Sequence, residues 1–238
     1  MISFIIPAYN EQKNVNPTID ELYRAIKFLK LKDYEIIFVD DCSTDNTLSI
    51  AKEYQKKKKI NITIIKNKIN LGWGGTVKKG IKKAKKKYVV WVPGDNGFYY
   101  KQYIKIISNI KNYNFISSYF TNANERTFYR YIFTSTYTPL LNLIFSLNFP
   151  YYNGLTIFKT SILKKIDIKF NSHIFQVEIW SKLKLQNLLT EVNFVKLKNR
   201  EKTQISQAFK LKNSIKVTFS FFYIIFYYWM NKILNFLK

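Results

Sequence analysis

Ile2-Ser3-Phe4-Ile5-Ile6-Pro7 runs into Ala8-Tyr9-Asn10-Glu11, and this pairing of an apolar run with a carboxylate-bearing turn recurs twice. Glu35–Val39 runs into Asp40-Asp41-Cys42-Ser43-Thr44-Asp45, and Tyr88–Val92 runs into Pro93-Gly94-Asp95-Asn96. Short apolar, β-branched runs bounded by turn residues read as buried strands. In an open α/β sheet, ligands sit outside the carboxyl ends of parallel strands. Three acidic loops arriving at one sheet edge predict a site for a metal-bound, phosphate-bearing ligand.

The segments around these strands have helical spacing. Ile19, Leu22, Tyr23, Ile26 and Leu29 predict a helix over Val15–Lys30. Asp45-Asn46-Thr47 can cap a helix over Thr47–Lys57, and Ile60–Lys66 alternates as a strand. Gly72-Trp73-Gly74-Gly75 opens a third helix running to about Lys87. Strands alternating with helices predict a mainly parallel sheet with right-handed crossovers. Beyond Asp95, helices are expected over Tyr100–Lys111, Arg126–Phe149 and Phe175–Leu188. Strands are expected over Phe115–Tyr119, Tyr151–Phe158 and Glu191–Lys198.

A chain of 238 residues, 47% hydrophobic, fits one domain or one domain with an appendage. Of its 39 basic residues only four are arginine (Arg24, Arg126, Arg130 and Arg200), and the lysine bias runs through the whole chain. The net charge of +24 is therefore not read as a nucleic-acid signal, and no recognition helix or strand aromatic motif supports one. Such a surface still attracts anionic lipid head groups and phosphate-bearing substrates. One cysteine, Cys42, and one histidine, His173, exclude an intrachain disulfide framework and a Cys/His zinc site. The opening residues lack the basic, apolar and cleavage segments of a signal peptide, so none is expected. Asn61-Ile62-Thr63 matches a glycosylation sequon but falls inside a predicted strand, and it is read as chance.

Each candidate site residue has a bland and a sharp reading. Asp40 and Asp41 can accept hydrogen bonds from a nucleobase or ribose, or serve an ordinary turn, while Asp45 reads as a helix cap. Asp95 can hold Mg²⁺ or Mn²⁺, cations that take few protein oxygens and complete their shell with phosphate and water. Its Pro-Gly-Asp-Asn-Gly setting is equally good turn composition. The glycines after Asn70-Leu71 allow close backbone approach at a helix N-terminus, which favours anions. Glu178 lies among apolar residues and is either paired with a lysine or functional. Arg126, Arg130 and Arg200 are candidates to grip phosphates bidentately. The 14 uncharged residues from Val217 to Met230 would make a helix of about 22 Å, short of the ~30 Å hydrocarbon core. Tyr223, Tyr227, Tyr228 and Trp229 suit a membrane interface, so an interfacial helix is favoured over a tilted span or a buried one.

Taken together, Ile5-Ile6-Pro7-Ala8-Tyr9-Asn10-Glu11, Val39-Asp40-Asp41-Cys42-Ser43-Thr44-Asp45, Asn70-Leu71-Gly72 with Val77, Gly80 and Ile81, and then Asp95 resemble the family 2 glycosyltransferases of the GT-A fold. The resemblance covers about residues 1–120. The second half is similar, more loosely, to the polyprenol-phosphate sugar transferase branch, through Asn153-Gly154-Leu155-Thr156-Ile157-Phe158, Phe175-Gln176-Val177-Glu178-Ile179, and Arg200 with Ser206 and Lys210.

The resemblance implies a GT-A type, mainly parallel open sheet flanked by helices over 1–210, followed by an apolar aromatic helix over 211–238. Pro7, Tyr9, Glu11, Asp40, Asp41 and Gly72 would bind the nucleotide sugar. Asp95 matches the second acid of the family's Asp-x-Asp motif and would hold Mg²⁺ or Mn²⁺. Pro93 stands where the first acid belongs. Arg126, Arg130 and Arg200 would meet the diphosphate or the lipid phosphate, and Glu178 is the candidate base should the acceptor need one. The implied reaction moves a sugar from a nucleotide-diphosphate sugar to a polyprenyl phosphate at the cytoplasmic face of a membrane, with inversion. Transfer to a growing glycan or another lipid, and non-catalytic binding of a sugar nucleotide, are the alternatives.

Overall fold

The computed structural model describes residues 1–58, 60–110, 113–120, 128–198 and 211–236, with the side chains of 128–135, 211–217 and 236 left aside. The elements follow in the order β1 (Ile2–Ala8), α1 (Val15–Phe28), β2 (Tyr34–Asp40), α2 (Thr47–Lys58), β3 (Ile62–Lys66), α3 (Gly72–Lys83), β4 (Tyr88–Trp91) and α4 (Tyr100–Ile107). Then come β5 (Phe115–Phe120), α5 (Phe128–Phe145), β6 (Ile157–Lys159), α6 (Thr160–Leu163), α7 (Phe175–Leu185), β7 (Val192–Leu197) and α8 (Leu211–Phe236).

The strands form one sheet in the order β3-β2-β1-β4-β6-β5-β7. β1 pairs in parallel with β2 and β4, and β2 with β3. β6 runs antiparallel to β4 and β5, and β5 and β7 are parallel again. β1 is buried along its whole length, as a central parallel strand covered on both faces should be. Phe4 and Ile6 face one layer with α1, α2 and α4, where Ile19, Leu22, Ala25, Tyr54, Tyr103 and Ile106 fill the space. Ile5 faces the other layer, with Val77 and Ile81 of α3 and the aromatics Trp91, Phe115, Phe149, Phe158, Phe175 and Trp180.

Several boundaries differ from the sequence reading by two to four residues, with α4 ending at Ile107, α5 spanning Phe128–Phe145 and α7 ending at Leu185, and two further differences have a visible cause. α3 stops at Lys83 rather than near Lys87, because the next residues are claimed by the sheet. Ala84 turns extended (φ −60°, ψ 129°), Lys85 N–H donates to Glu35 Oε1 at 2.6 Å, and Lys86 N–H donates to Ser3 Oγ at 3.1 Å. The strand expected over Tyr151–Phe158 is confined to Ile157–Lys159. Gly154 lies so close to β5 that a Cβ there would sit 1.9 Å from the Ser118 carbonyl oxygen. The Gly154 carbonyl is taken by Gln176 Nε2 at 3.0 Å rather than by a strand partner.

Helix α8 falls within the 211–238 segment expected for it and runs beyond the uncharged stretch Val217–Met230 at both ends. Ser220, Ile224 and Tyr228 are buried, with the Tyr228 ring 4.9 Å from Phe145 of α5 and its hydroxyl donating to the Phe145 carbonyl. The opposite face carries Phe219, Phe222, Phe226, Trp229, Met230 and Ile233, all exposed. Among the described residues no helix is long and apolar enough to cross a membrane.

Candidate functional site

The parallel register brings the carboxyl ends of β2, β1 and β4 side by side, with Ala8 opposite Asp40 and Gly94 N–H donating to the Pro7 carbonyl. The loops that leave this edge are sewn together. Asn10 N–H donates to Ser43 Oγ, and Thr44 N–H donates to Asn10 Oδ1 at 2.8 Å. Glu11 N–H donates to Thr47 Oγ1 at 2.7 Å, and Gln12 N–H to Asp45 Oδ2. Asp45 also accepts the Thr47 N–H and hydroxyl, which matches the capping role read from sequence. Burial works against its charge, yet these hydrogen bonds prevail and hold its carboxyl below the ordinary range. The β4 loop is fixed from behind by Thr18 of α1, whose hydroxyl donates to the Gly94 carbonyl and accepts the Asn96 N–H. Glu11, Asp40, Asp41 and Asp95 thus share one edge.

This edge also concentrates unusual backbone. Asn10 (φ 54°), Cys42 (φ 61°) and Asn96 (φ 53°) are left-handed, one beyond each of β1, β2 and β4. Gly72 (φ 76°) does the same beyond β3, where glycine adopts the conformation without a Cβ clash. Asparagine tolerates this region, whereas for cysteine it is a local strain of about 1 kcal/mol. Such strain is typically retained where a loop must hold a functional shape.

Asp40 and Asp41 point to opposite layers and have different partners. Asp41 is buried, and its carboxylate accepts Asn67 Nδ2 at 2.7 Å, Leu71 N–H at 2.8 Å and Gly72 N–H at 2.9 Å. It serves as the N-terminal cap of α3, delivered from a different strand, where the helix dipole favours a negative charge. Asp40 is fully buried. Its Oδ2 accepts the Ser43 N–H, and among the described residues Oδ1 has no hydrogen-bond partner. Tyr9 stands exposed at the rim.

Asp95 is half-buried on the β4 loop. Among the described residues no group of three or more His, Cys, Asp or Glu is arranged to hold a metal. A single carboxylate at a sheet edge still suits Mg²⁺ or Mn²⁺, which complete their shells with phosphate oxygens and water.

Glu178 sits in α7, 1% exposed, and both its oxygens are engaged. Oε1 accepts Lys182 Nζ at 2.7 Å and Lys169 N–H at 2.8 Å, and Oε2 accepts Phe170 N–H at 2.9 Å. Lys182, itself buried, also donates to the Asp167 carbonyl. Removing one partner of such a pair typically costs about 3–5 kcal/mol, because the other charge is left buried alone. The ion pair is the paired reading of this residue, and the two backbone bonds are additional to it. They hold residues 167–171, a strap with no secondary structure that lies against the first turn of α3. Gly74 N–H donates to the Asn171 carbonyl at 2.7 Å, and a Cβ on Gly74 would sit 2.9 Å from the Phe170 oxygen. In this structure the room left by that glycine is filled by the chain's own backbone. Trp73 extends the contact by stacking on His173 at 6.0 Å, and burial pushes the His173 imidazole down from its ordinary value.

Arg126 and Arg200 lie outside the described residues, as does the side chain of Arg130. Sequence reasoning missed Thr18, Asn67 and the 167–171 strap. A buried threonine on the apolar face of a helix and an asparagine directly after a strand were the available signals for the first two. The strap left none, because its bonds join backbone to distant side chains.

The model for the family described as "Glycosyl transferase family 2" matches residues 3–169. An uncharacterised protein of Methanocaldococcus jannaschii is 32% identical over 178 residues, 70% of this chain and 74% of that one. A dolichyl-phosphate beta-glucosyltransferase of Dictyostelium discoideum is 38% identical over 113 residues, 44% of this chain and 34% of that protein, so the match spans about a third of it. Glucosyl-3-phosphoglycerate synthase from Mycobacterium tuberculosis, solved with Mn²⁺, UDP-glucose and phosphoglyceric acid, superposes with a TM-score of 0.65 at 13% identity, over 86% of this chain and 72% of that one. That likeness speaks to the fold.

Proposed function

The chain belongs to glycosyl transferase family 2 and has its GT-A fold, and from that premise we propose that it transfers a sugar from a nucleotide-diphosphate sugar to a polyprenyl phosphate at the cytoplasmic surface of a membrane. The observation that carries the donor half of this reading is the single edge shared by Glu11, Asp40, Asp41 and Asp95. Pro7, Tyr9 and Glu11 frame the nucleotide, with the exposed Tyr9 ring offering a face to the base. Asp40, whose Oδ1 has no hydrogen-bond partner among the described residues, is the carboxylate proposed to accept from base or ribose, and Asp41, its oxygens engaged at the head of α3, is proposed to shape the same edge. Gly72, at the head of α3 with φ 76°, is the glycine proposed to border the ligand, through the turn it shapes. Asp95 is the residue that would hold Mg²⁺ or Mn²⁺, and a divalent cation there would neutralise charge on the departing diphosphate. Arg126, Arg130 and Arg200 are the cations proposed for the phosphates.

The acceptor half rests on the Dictyostelium relative, whose name specifies a dolichyl phosphate, and on the exposed aromatic face of α8. A lipid phosphate is already anionic and attacks the anomeric carbon without a strong base, giving inversion. This agrees with a Glu178 whose oxygens are both committed. We assign 211–238 to the membrane contact and 1–210 to the transferase domain.

The test is a panel of labelled nucleotide sugars, with and without Mn²⁺ or Mg²⁺, offered with polyprenyl phosphate in membrane lipid extract. Cation-dependent label in the lipid fraction is the expected result. Label entering a glycan instead moves the acceptor to a saccharide. Donor binding with no transfer to any acceptor would make the chain a sugar-nucleotide-binding protein.

A further inference from the structure

Glu178 has the burial of a catalytic base and the contacts of a structural tie. We propose that it is a positioning residue for the donor site: it fixes the 167–171 strap, the strap fixes the first turn of α3, and that turn holds the Asp41 carboxylate. The inference deepens the donor reading above and rests on it.

The chain of contacts is continuous. Each of the five consecutive residues of the strap has at least one backbone polar group taken. The Asp167 carbonyl accepts from Lys182, and the Ile168 and Lys169 carbonyls each accept from Lys78 Nζ at 3.1 Å. The Lys169 and Phe170 amides go to Glu178, and the Asn171 carbonyl goes to Gly74 N–H. A segment that makes no ladder of its own is therefore held in one position by α7 on one side and α3 on the other. Glu178 is the part of this net that binds the strap by its amides.

On its far side the first turn of α3 presents the Leu71 and Gly72 amides to Asp41. Leu71 makes no side-chain cap of its own, and although Gly72 N–H also donates to Asn70 Oδ1 at 3.1 Å, Asp41 is the acceptor common to these two amides. Where the α3 turn sits decides where the Asp41 carboxylate sits, and Asp41 lies on the edge assigned to the nucleotide. Glu178, its carboxylate already holding three donors, is also poorly placed to take a proton from an acceptor.

Two variants separate this from other roles. Glu178→Gln keeps the shape but sets an amide group against the Phe170 N–H, loosening the strap. Gly74→Ala pushes strap and α3 apart without touching the ion pair, and it keeps the proposal testable should Glu178→Gln fail to fold. Hydrogen exchange on the unliganded protein reads the linkage directly. Both variants should speed exchange at Leu71, Gly72 and Gly74 by about tenfold while the amides of β1 and β2 keep wild-type rates. UDP-glucose and GDP-mannose, each with Mn²⁺, then serve as binding probes. Whichever binds the wild type should bind both variants about tenfold more weakly, with kcat reduced far less. Faster exchange confined to 167–172, or wild-type affinity in both variants, overturns the proposal. So does a collapse of kcat in Glu178→Gln at unchanged donor affinity, which would make the residue a base. If neither probe nor any other nucleotide sugar binds the wild type, the donor reading fails, and with it the role assigned to Asp41. The exchange data would still report whether Glu178 governs the head of α3.

Discussion

The two halves of the sheet are held together by different physics. The edge of β2, β1 and β4 is joined by short polar bonds between loops: Asn10 to Ser43 and Thr44, Glu11 to Thr47, Gln12 to Asp45, Thr18 to Gly94. The half containing β5, β6 and β7 is joined by rings. Trp180 lies 5.0 to 5.7 Å from Phe158, Phe149 and Phe115, and its indole N–H donates to the Tyr152 carbonyl. Polar bonds set loop shape with little room for error, as an active edge needs. Aromatic packing supplies burial and accepts sequence variation. Chemistry is therefore expected to fail first in the one half, and stability or surface attachment in the other.

Asp95→Ala is the strongest way to break that division. Turnover should fall by roughly 10²–10³-fold, the scale of losing one transition-state charge stabiliser, while the unfolding temperature stays near wild type. Wild-type turnover in this variant would remove the cation from Asp95. Trp180→Ala should do the reverse. Denaturant titration is expected to show a loss of about 3–5 kcal/mol, with donor affinity preserved in the protein that remains folded. A next, smaller effect concerns attachment. Phe222→Asp on the exposed face of α8 should weaken sedimentation with anionic vesicles by about tenfold or more, without changing turnover of a water-soluble acceptor analogue. Undiminished sedimentation would hand the role to the basic surface.

His173 sharpens the comparison where strap and α3 meet. Burial depresses its folded pKa below the unfolded value near 6.5. The neutral ring therefore contributes stability above that value, and the contribution is lost as pH falls through the window below it. His173→Asn should flatten this acid-side loss in thermal unfolding as the pH falls below about 6.5. The smallest effect belongs to Cys42. Cys42→Gly relieves a left-handed residue and should leave stability unchanged or raise it by up to about 1 kcal/mol, since the gain is offset by unfolded-state entropy. A clear loss would mean that the Cys42 side chain contributes packing of its own.

The polar half was the more legible in sequence. An apolar β-branched run followed by a carboxylate names both a strand and the edge it points to, so β1, β2 and β4 and their acids were readable together. The stop of α3 was not, because Glu35 and Ser3 impose it from other strands. The short β6 was not, because the Ser118 carbonyl decides where Gly154 must lie. Asp41 was legible as an important acid, but its three donors come from residues 26 to 31 positions away. Glu178 was legible as buried, while the identity of what it holds depended on a strap with no pattern of its own.

Among its described side chains, helix α8 is mainly apolar both on the side it packs and on the side it shows. Most surface helices can be lifted into water at little cost beyond their contacts, but between residues 218 and 234 this one turns mainly rings and aliphatic side chains outward. Contiguous exposed apolar patches of this kind drive association, so in water this face is expected to be covered by lipid, detergent or another apolar surface. The chain's yield in a purification is therefore expected to follow the amphiphile in the buffer more closely than any substitution in the core.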